Sequence, residues 1–309
     1  MKTESDYQFA SKWLRNIFKD AESGNCCAQL RLGLCYLFGN ELRQDDGKAF
    51  EWVKRSAEQG FAPAQRFLGE FYEEGTGVDR CYTLAAQWMR RAAEQGDDLA
   101  QLMLGKYYSE GKGVRSNFEM MFRWFRKAAE QGNVFALFNL GVHYFFGRGV
   151  PENKAEGAKW FWMAAERGYG SAQYNLALCY FRGLGVFQDD RKGFFWLRNA
   201  AQHGHIEAIC ELGRRYQYGI GIEQDIEKAK KWYLKGYEEG SEDAEFYFDE
   251  IIWRQDHEEN DIDILRDEEE PAIRRSKKQI RYEKMNHKRR RTGNKTFSST
   301  IPVNQTKKG

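Results

Sequence analysis

Seven glycines at positions 24, 60, 96, 132, 168, 204 and 240 recur every 36 residues and constrain this 309-residue chain more than any other feature. A second column holds Gly33, Gly69, Gly105, Gly141 and Gly213, with Ala177 in the remaining place. A third is a GxG pair at 75/77, 111/113, 147/149, 183/185 and 219/221, of which the first repeat keeps only Gly39. A fixed period of about 20–50 residues marks a solenoid, because each unit is too small to bury its apolar face without neighbours. The register accounts for most of the 30 glycines, and with only 4 prolines the segments between them are free to be helical.

The remaining columns define the unit. Ala28, Ala64, Ala100, Ala136, Ala172, Ala208 and Ala244 are each followed four residues on by Leu32, Leu68, Leu104, Leu140, Leu176, Leu212 or Phe248. Tyr36, Tyr72, Tyr108, Tyr144, Tyr180 and Tyr216 come four residues later again, which places all three columns on one helical face, here helix A. The glycine beside each Leu leaves room for another backbone to approach. GxG ends helix A with positive-φ turns. Asp45, Asn117, Asn153, Asp189 and Asp225 then stand where the next helix needs an N-cap, and only Cys81 departs. Helix B carries Trp52, Trp88, Trp124, Trp160, Trp196 and Trp232. In the recurring phrase AAEQG (92–96), the alanines end helix B at its closest packing, Glu94 and Gln95 read as a solvated shoulder, and Gly96 turns the chain.

The A-x3-LG-x2-Y columns, the loop "GRGVPEN" (147–153), the helix-B Trp and AAEQG closely resemble the Sel-one-like repeat family, relatives of the tetratricopeptide repeat. The resemblance covers six full repeats over 25–240 and a seventh helix A at about 241–252. It implies an all-α fold, a right-handed α-solenoid superhelix of antiparallel helix pairs in 36-residue repeats, with helix A on the concave wall. The expected organisation is a capping helix in residues 1–23, a solenoid over 24–255 and a charged tail over 256–309. Within that cap, 5–22 reads as a degenerate helix B, since Ile17 and Ala21 share the columns of Val53 and Ala57.

Family geometry would line the groove of the fourth and fifth repeats with Phe135, Phe138, Val142, Phe145, Phe146, Tyr174, Leu178 and Phe181. Such a patch is either a docking surface for a partner helix or peptide, or a matter of packing between repeats or self-association. Phe145, Phe146 and Phe181 favour docking, because Glu73, Ser109 and Glu110 occupy those columns elsewhere. On the docking reading, replacing Phe145 and Phe146 with Ser abolishes capture and leaves the helical melt intact.

The tail is polarised. Residues 251–270 hold nine Asp/Glu against two Arg, and residues 271–309 hold thirteen Lys/Arg against Glu283. The acidic part spans 256–270; the basic part, 273–295, contains Arg274, Arg275, Lys277, Lys278, Lys288, Arg289, Arg290 and Arg291. It could meet nucleic acid, another anionic surface or a nuclear import receptor, or remain a solvated, disordered segment that can fold back onto 256–270. Six cysteines form no CxxC and read as reduced thiols, and no apolar run resembles a signal peptide or membrane span. The expected setting is cytoplasmic, with nuclear or host-delivered destinations left open. His203, His205 and Cys210 lack a fourth ligand and read as a surface turn, so no metal, cofactor or catalytic residue is expected. The leading function is a scaffold or adaptor for a protein or peptide, the alternative a nucleic-acid-associated adaptor acting through the tail. A hydrolase of the family's cysteine-rich, β-lactamase-like branch ranks last, because those members carry a cysteine pair in every repeat.

Overall fold

A computed structural model describes residues 11–264, with side chains described from 11 to 253. The described residues form fourteen α-helices and no strand. Helix α1 (Lys12–Glu22) precedes six A–B pairs. These are α2 (Cys26–Phe38) with α3 (Asp46–Glu58), α4 (Ala62–Glu74) with α5 (Tyr82–Glu94), and α6 (Asp98–Glu110) with α7 (Phe118–Glu130). They continue with α8 (Val134–Phe146) and α9 (Lys154–Ala165), α10 (Gly170–Arg182) and α11 (Asp190–Gln202), and α12 (Ile206–Tyr218) and α13 (Ile226–Glu238). A last A helix, α14 (Glu242–Ile264), closes the series. The chain divides into two compact units, Met1–Leu140 and Gly141–Gly309. In the first unit each helix from α1 to α7 packs on the next, and in the second the same holds from α9 to α14.

The column residues build both cores. Leu32, Leu68, Leu104, Leu140, Leu176 and Leu212 are all buried. Helix B answers with Val53, Met89, Phe125, Phe161, Leu197 and Tyr233, none more than 1% exposed. The glycine column exists for these side chains: a Cβ on Gly105 would stand 2.5 Å from the Phe125 ring, and one on Gly213 2.6 Å from Tyr233. N-capping follows the sequence. Asp45, Asn117, Asn153, Asp189 and Asp225 each accept the backbone N–H three residues on, while Cys81 makes no side-chain cap bond.

The second glycine of GxG does more than turn the chain. In the first unit a Cβ on Gly77 would collide with the Asp46 carbonyl of α3, and one on Gly113 with the Tyr82 carbonyl of α5. In the second unit Gly185 meets the Lys154 carbonyl of α9 in the same way. The loop of one repeat therefore rests on the first turn of helix B in the repeat before it.

Glu94 and Gln95 are exposed, as a solvated shoulder requires, and Gln95 has a structural bond besides. Buried Gln65, near the start of α4, donates Nε2 to the Ala57 carbonyl (3.3 Å) that ends α3. Its Oε1 accepts Nε2 of Gln95 at 2.7 Å, at the end of α5. The same tie joins Gln29 to Gln59 (2.6 Å) and Gln101 to Gln131 (2.9 Å), and His203 replaces the outer partner opposite Gln173 (3.2 Å). The physical reason is that a buried amide must be satisfied at both ends. Where the inner glutamine gives way to Leu137 or Ile209, the outer position changes too, to Arg167 or Glu239. Gln95→Ala is accordingly expected to destabilise by about 1–2 kcal/mol in urea unfolding, through the orphaned Gln65 carbonyl, while adding Gln65→Leu recovers most of the loss.

The C-terminal end also differs from expectation. Instead of ending near 255, α14 runs on to Ile264. No Gly or Pro interrupts the sequence of this helix between 242 and 264.

Candidate partner-binding face

In the first unit, the second repeat carries charge in the columns expected to line the groove. Arg66 on α4 donates to Glu70 (2.7 Å) and lies 3.4 Å from Asp97. Burial raises the Glu70 carboxyl above its ordinary range while Arg66 opposes the shift. Glu73, 8% exposed, accepts from the Tyr107 hydroxyl on α6 and pairs with Lys112 at 2.5 Å. Burial, reinforced by that hydrogen bond, holds the Tyr107 phenol well above its usual value. In this unit Phe138 is buried and Phe135 is 47% exposed.

In the second unit the corresponding columns of the fourth and fifth repeats are mostly apolar, and most of these side chains are buried. Phe145 is 2% exposed; its ring lies 5.7 Å from Phe161, and its Cβ and backbone press on Gly157 of α9. Phe181 (8% exposed) lies over Gly193 of α11, 5.3 Å from the Phe194 ring. The Arg215 guanidinium of α12 stacks on it at 3.5 Å and is held by Glu211 at 2.8 Å. Tyr174 is buried against His205, ring to ring at 5.0 Å, and burial pushes its phenol up. Val142 and Leu178 are buried as well.

Six of the eight aromatic-patch residues are therefore core, and only Phe135 and Phe146 reach the surface. The physical reason is paired volume. The position twelve residues after Phe145 or Phe181 is Gly157 or Gly193, whereas Ala85 and Met121 stand there opposite Glu73 and Ser109. A large ring on helix A is matched by a missing side chain on helix B. This signal was present in the sequence, in a column that reading one helix at a time does not compare.

What remains open in the second unit is the row at the C-terminal ends of its A helices. It comprises half-buried Phe146, with Arg148 over its ring at 5.2 Å, then Arg182, then Tyr218 at 48% exposure. The equivalent residues of the first unit are Phe38, Glu74 and Glu110. His205 caps α12 and stacks on Tyr174, and burial lowers its imidazole pKa. Among the described residues no group of three or more His, Cys, Asp or Glu could hold a metal. The six cysteines are unpaired, with the Cys179 thiol pushed by burial to about 12. No described helix is long and apolar enough to cross a membrane. The basic residues Arg274, Arg275, Lys277, Lys278, Lys288, Arg289, Arg290 and Arg291 lie outside the described residues.

Stacked A–B helix pairs in 36-residue register define an all-α solenoid. The Sel1 repeat family model matches residues 28–61, 62–97, 98–133, 134–169, 170–205 and 206–241, and the chain belongs to the Sel1 repeat family. A Sel1 repeat protein from Oxalobacter formigenes is similar at 30% identity and a TM-score of 0.63, over 74% of this chain and 97% of that one. A protective antigen of uropathogenic Escherichia coli displaying an SLR fold is also 30% identical, with a TM-score of 0.59 over 89% of this chain and 64% of the antigen. No curated protein matches the chain significantly. Sel1 repeat proteins are generally protein–protein interaction scaffolds, and their fold is generally non-catalytic.

Proposed function

We propose that this chain is an interaction scaffold that captures a helix or extended peptide of a partner protein. The contact lies along the A-helix ends of the second unit, through Phe146, Arg182 and Tyr218. The observation that carries this reading is the recurrence of accessible aromatic and arginine side chains at one position of three successive repeats. Aromatics and Arg dominate binding energy because they bury large areas with few rotors and still offer polar contacts. Aromatic character is supported at Phe146, against which buried Phe145 packs edge-on at 5.2 Å, and, in the first unit, at Phe135.

The test is affinity capture from the source organism with the wild-type chain and a Phe146→Ser/Tyr218→Ser variant. Capture of the principal partner is expected to fall about tenfold or more, with an unchanged helical melt. Equal capture by the two chains at equal stability rejects this row as the docking surface.

A further inference from the structure

We infer that an open cleft beside α11 in the second unit is a separate docking site for an acidic peptide segment with an apolar anchor. The cleft encloses about 370 Å³, and Arg191, Phe195, Arg198, Asn199, Tyr216 and Ile222 are among its lining residues. This volume lies within the range of roughly 300–1,000 Å³ typical of ligand sites. No carboxylate lines it.

Three observations point to the occupant. First, Phe195 is 58% exposed at a position that is Glu51, Gln87, Arg123, Lys159 or Lys231 in the other repeats. Phe187, on the connection before α11, is 97% exposed. An aromatic left in water beside a concave apolar floor is an anchor point. Second, neither Arg191 nor Arg198 forms an ion pair among the described residues, although neighbouring Lys192 pairs with Asp189 at 3.6 Å. Third, a comparable cleft in the first unit places Arg90, Tyr108 and Val114 where Arg198, Tyr216 and Ile222 stand, and there Arg90 is engaged by the Tyr108 hydroxyl. In the second unit no such bond ties Arg198 to Tyr216, so its guanidinium is left for a carboxylate.

Two uncommitted guanidiniums around an apolar floor match a segment whose acidic residues flank a Leu or Phe. A polynucleotide would instead require a continuous cationic track, whereas Phe194, Leu212 and Ile222 make much of this lining apolar. The site uses none of Phe146, Arg182 or Tyr218 and goes beyond the scaffold reading above.

The experiment titrates the full chain into a short fluorescein-labelled peptide, Asp/Glu-rich around a central Leu–Phe pair, and reads anisotropy. Arg191→Glu/Arg198→Glu and Phe195→Ser are each expected to weaken binding about tenfold or more, with unchanged helical melts. Arg123→Glu/Arg126→Glu makes the same change in net charge on α7 and is expected to leave affinity within about twofold. The Phe146→Ser/Tyr218→Ser chain is expected to bind the peptide normally, so failure of the row and failure of the cleft are read separately. Absence of saturable binding overturns the proposal, as does equal weakening by the α7 control. Displacement by a single-stranded oligonucleotide at equal affinity, or equal binding of a peptide with the Leu–Phe pair replaced by Ser, overturns it too.

Discussion

Gly113→Ala is expected to remove about 3–5 kcal/mol of stability, which would leave the first unit largely unfolded at 37 °C. Two effects add. Gly113 has φ +68°, where an L side chain itself costs about 1–2 kcal/mol. The new methyl would also enter the Tyr82 carbonyl at the start of α5, backbone that cannot rotate aside. Gly221→Ala is the control. Its φ is +69°, but its nearest neighbour is the Phe194 ring at 3.3 Å, so the expected loss is about 1–2 kcal/mol. Urea unfolding followed by circular dichroism separates them. Equal midpoints would show that the collision with the preceding repeat is absorbed, and that conformation alone governs both glycines.

Phe145→Ser is expected to cost about 3–5 kcal/mol, the range for truncating a buried phenylalanine, with a hydroxyl then left in the apolar site. Its neighbour behaves differently: Phe146→Ser is expected to change stability by no more than about 1 kcal/mol. The two variants look alike in sequence and separate cleanly in a thermal melt. If Phe145→Ser melts with the wild type, the packing of α8 on α9 through Gly157 is not what stabilises that repeat. A serine pair at 145 and 146 would lose partner capture simply by unfolding, which is why the functional test uses Phe146 and Tyr218.

Much of this architecture is written in single columns. Leu32 and its equivalents, the caps at Asp45 and Asn117, and the positive-φ glycines are each forced by local chemistry, so a periodic reading finds them. The candidate site was less legible, for a specific reason. Whether Phe145 faces a partner or the core depends on the size of residue 157, and whether Phe181 is covered depends on Arg215, a repeat away. The glutamine tie was missed for the same cause: Gln65 and Gln95 are thirty residues apart, and each taken alone is an ordinary polar residue near a helix end. The free guanidiniums beside α11 were out of reach as well, since an absent ion pair is a property of coordinates. Helix α14 outlasted its expected end because the expectation followed the repeat, while the helix needed only the lack of a stop.

The glutamine tie carries a consequence for how such a chain changes length. A block such as 61–96 contains both Gln65 and Gln95; towards the preceding block Gln65 donates to the Ala57 carbonyl, and Gly77 lies against the Asp46 carbonyl. Any residue supplies a carbonyl. A whole block can therefore be gained or lost with its own lock intact, and the seam heals without rewriting the neighbours. Other seams carry side-chain pairs, as where Glu73 meets Tyr107, Asp98 meets Asn133 and Phe181 meets Arg215 across the boundary. There the repeats have become individuals, and unequal exchange at those junctions would part partners that no longer fit anyone else.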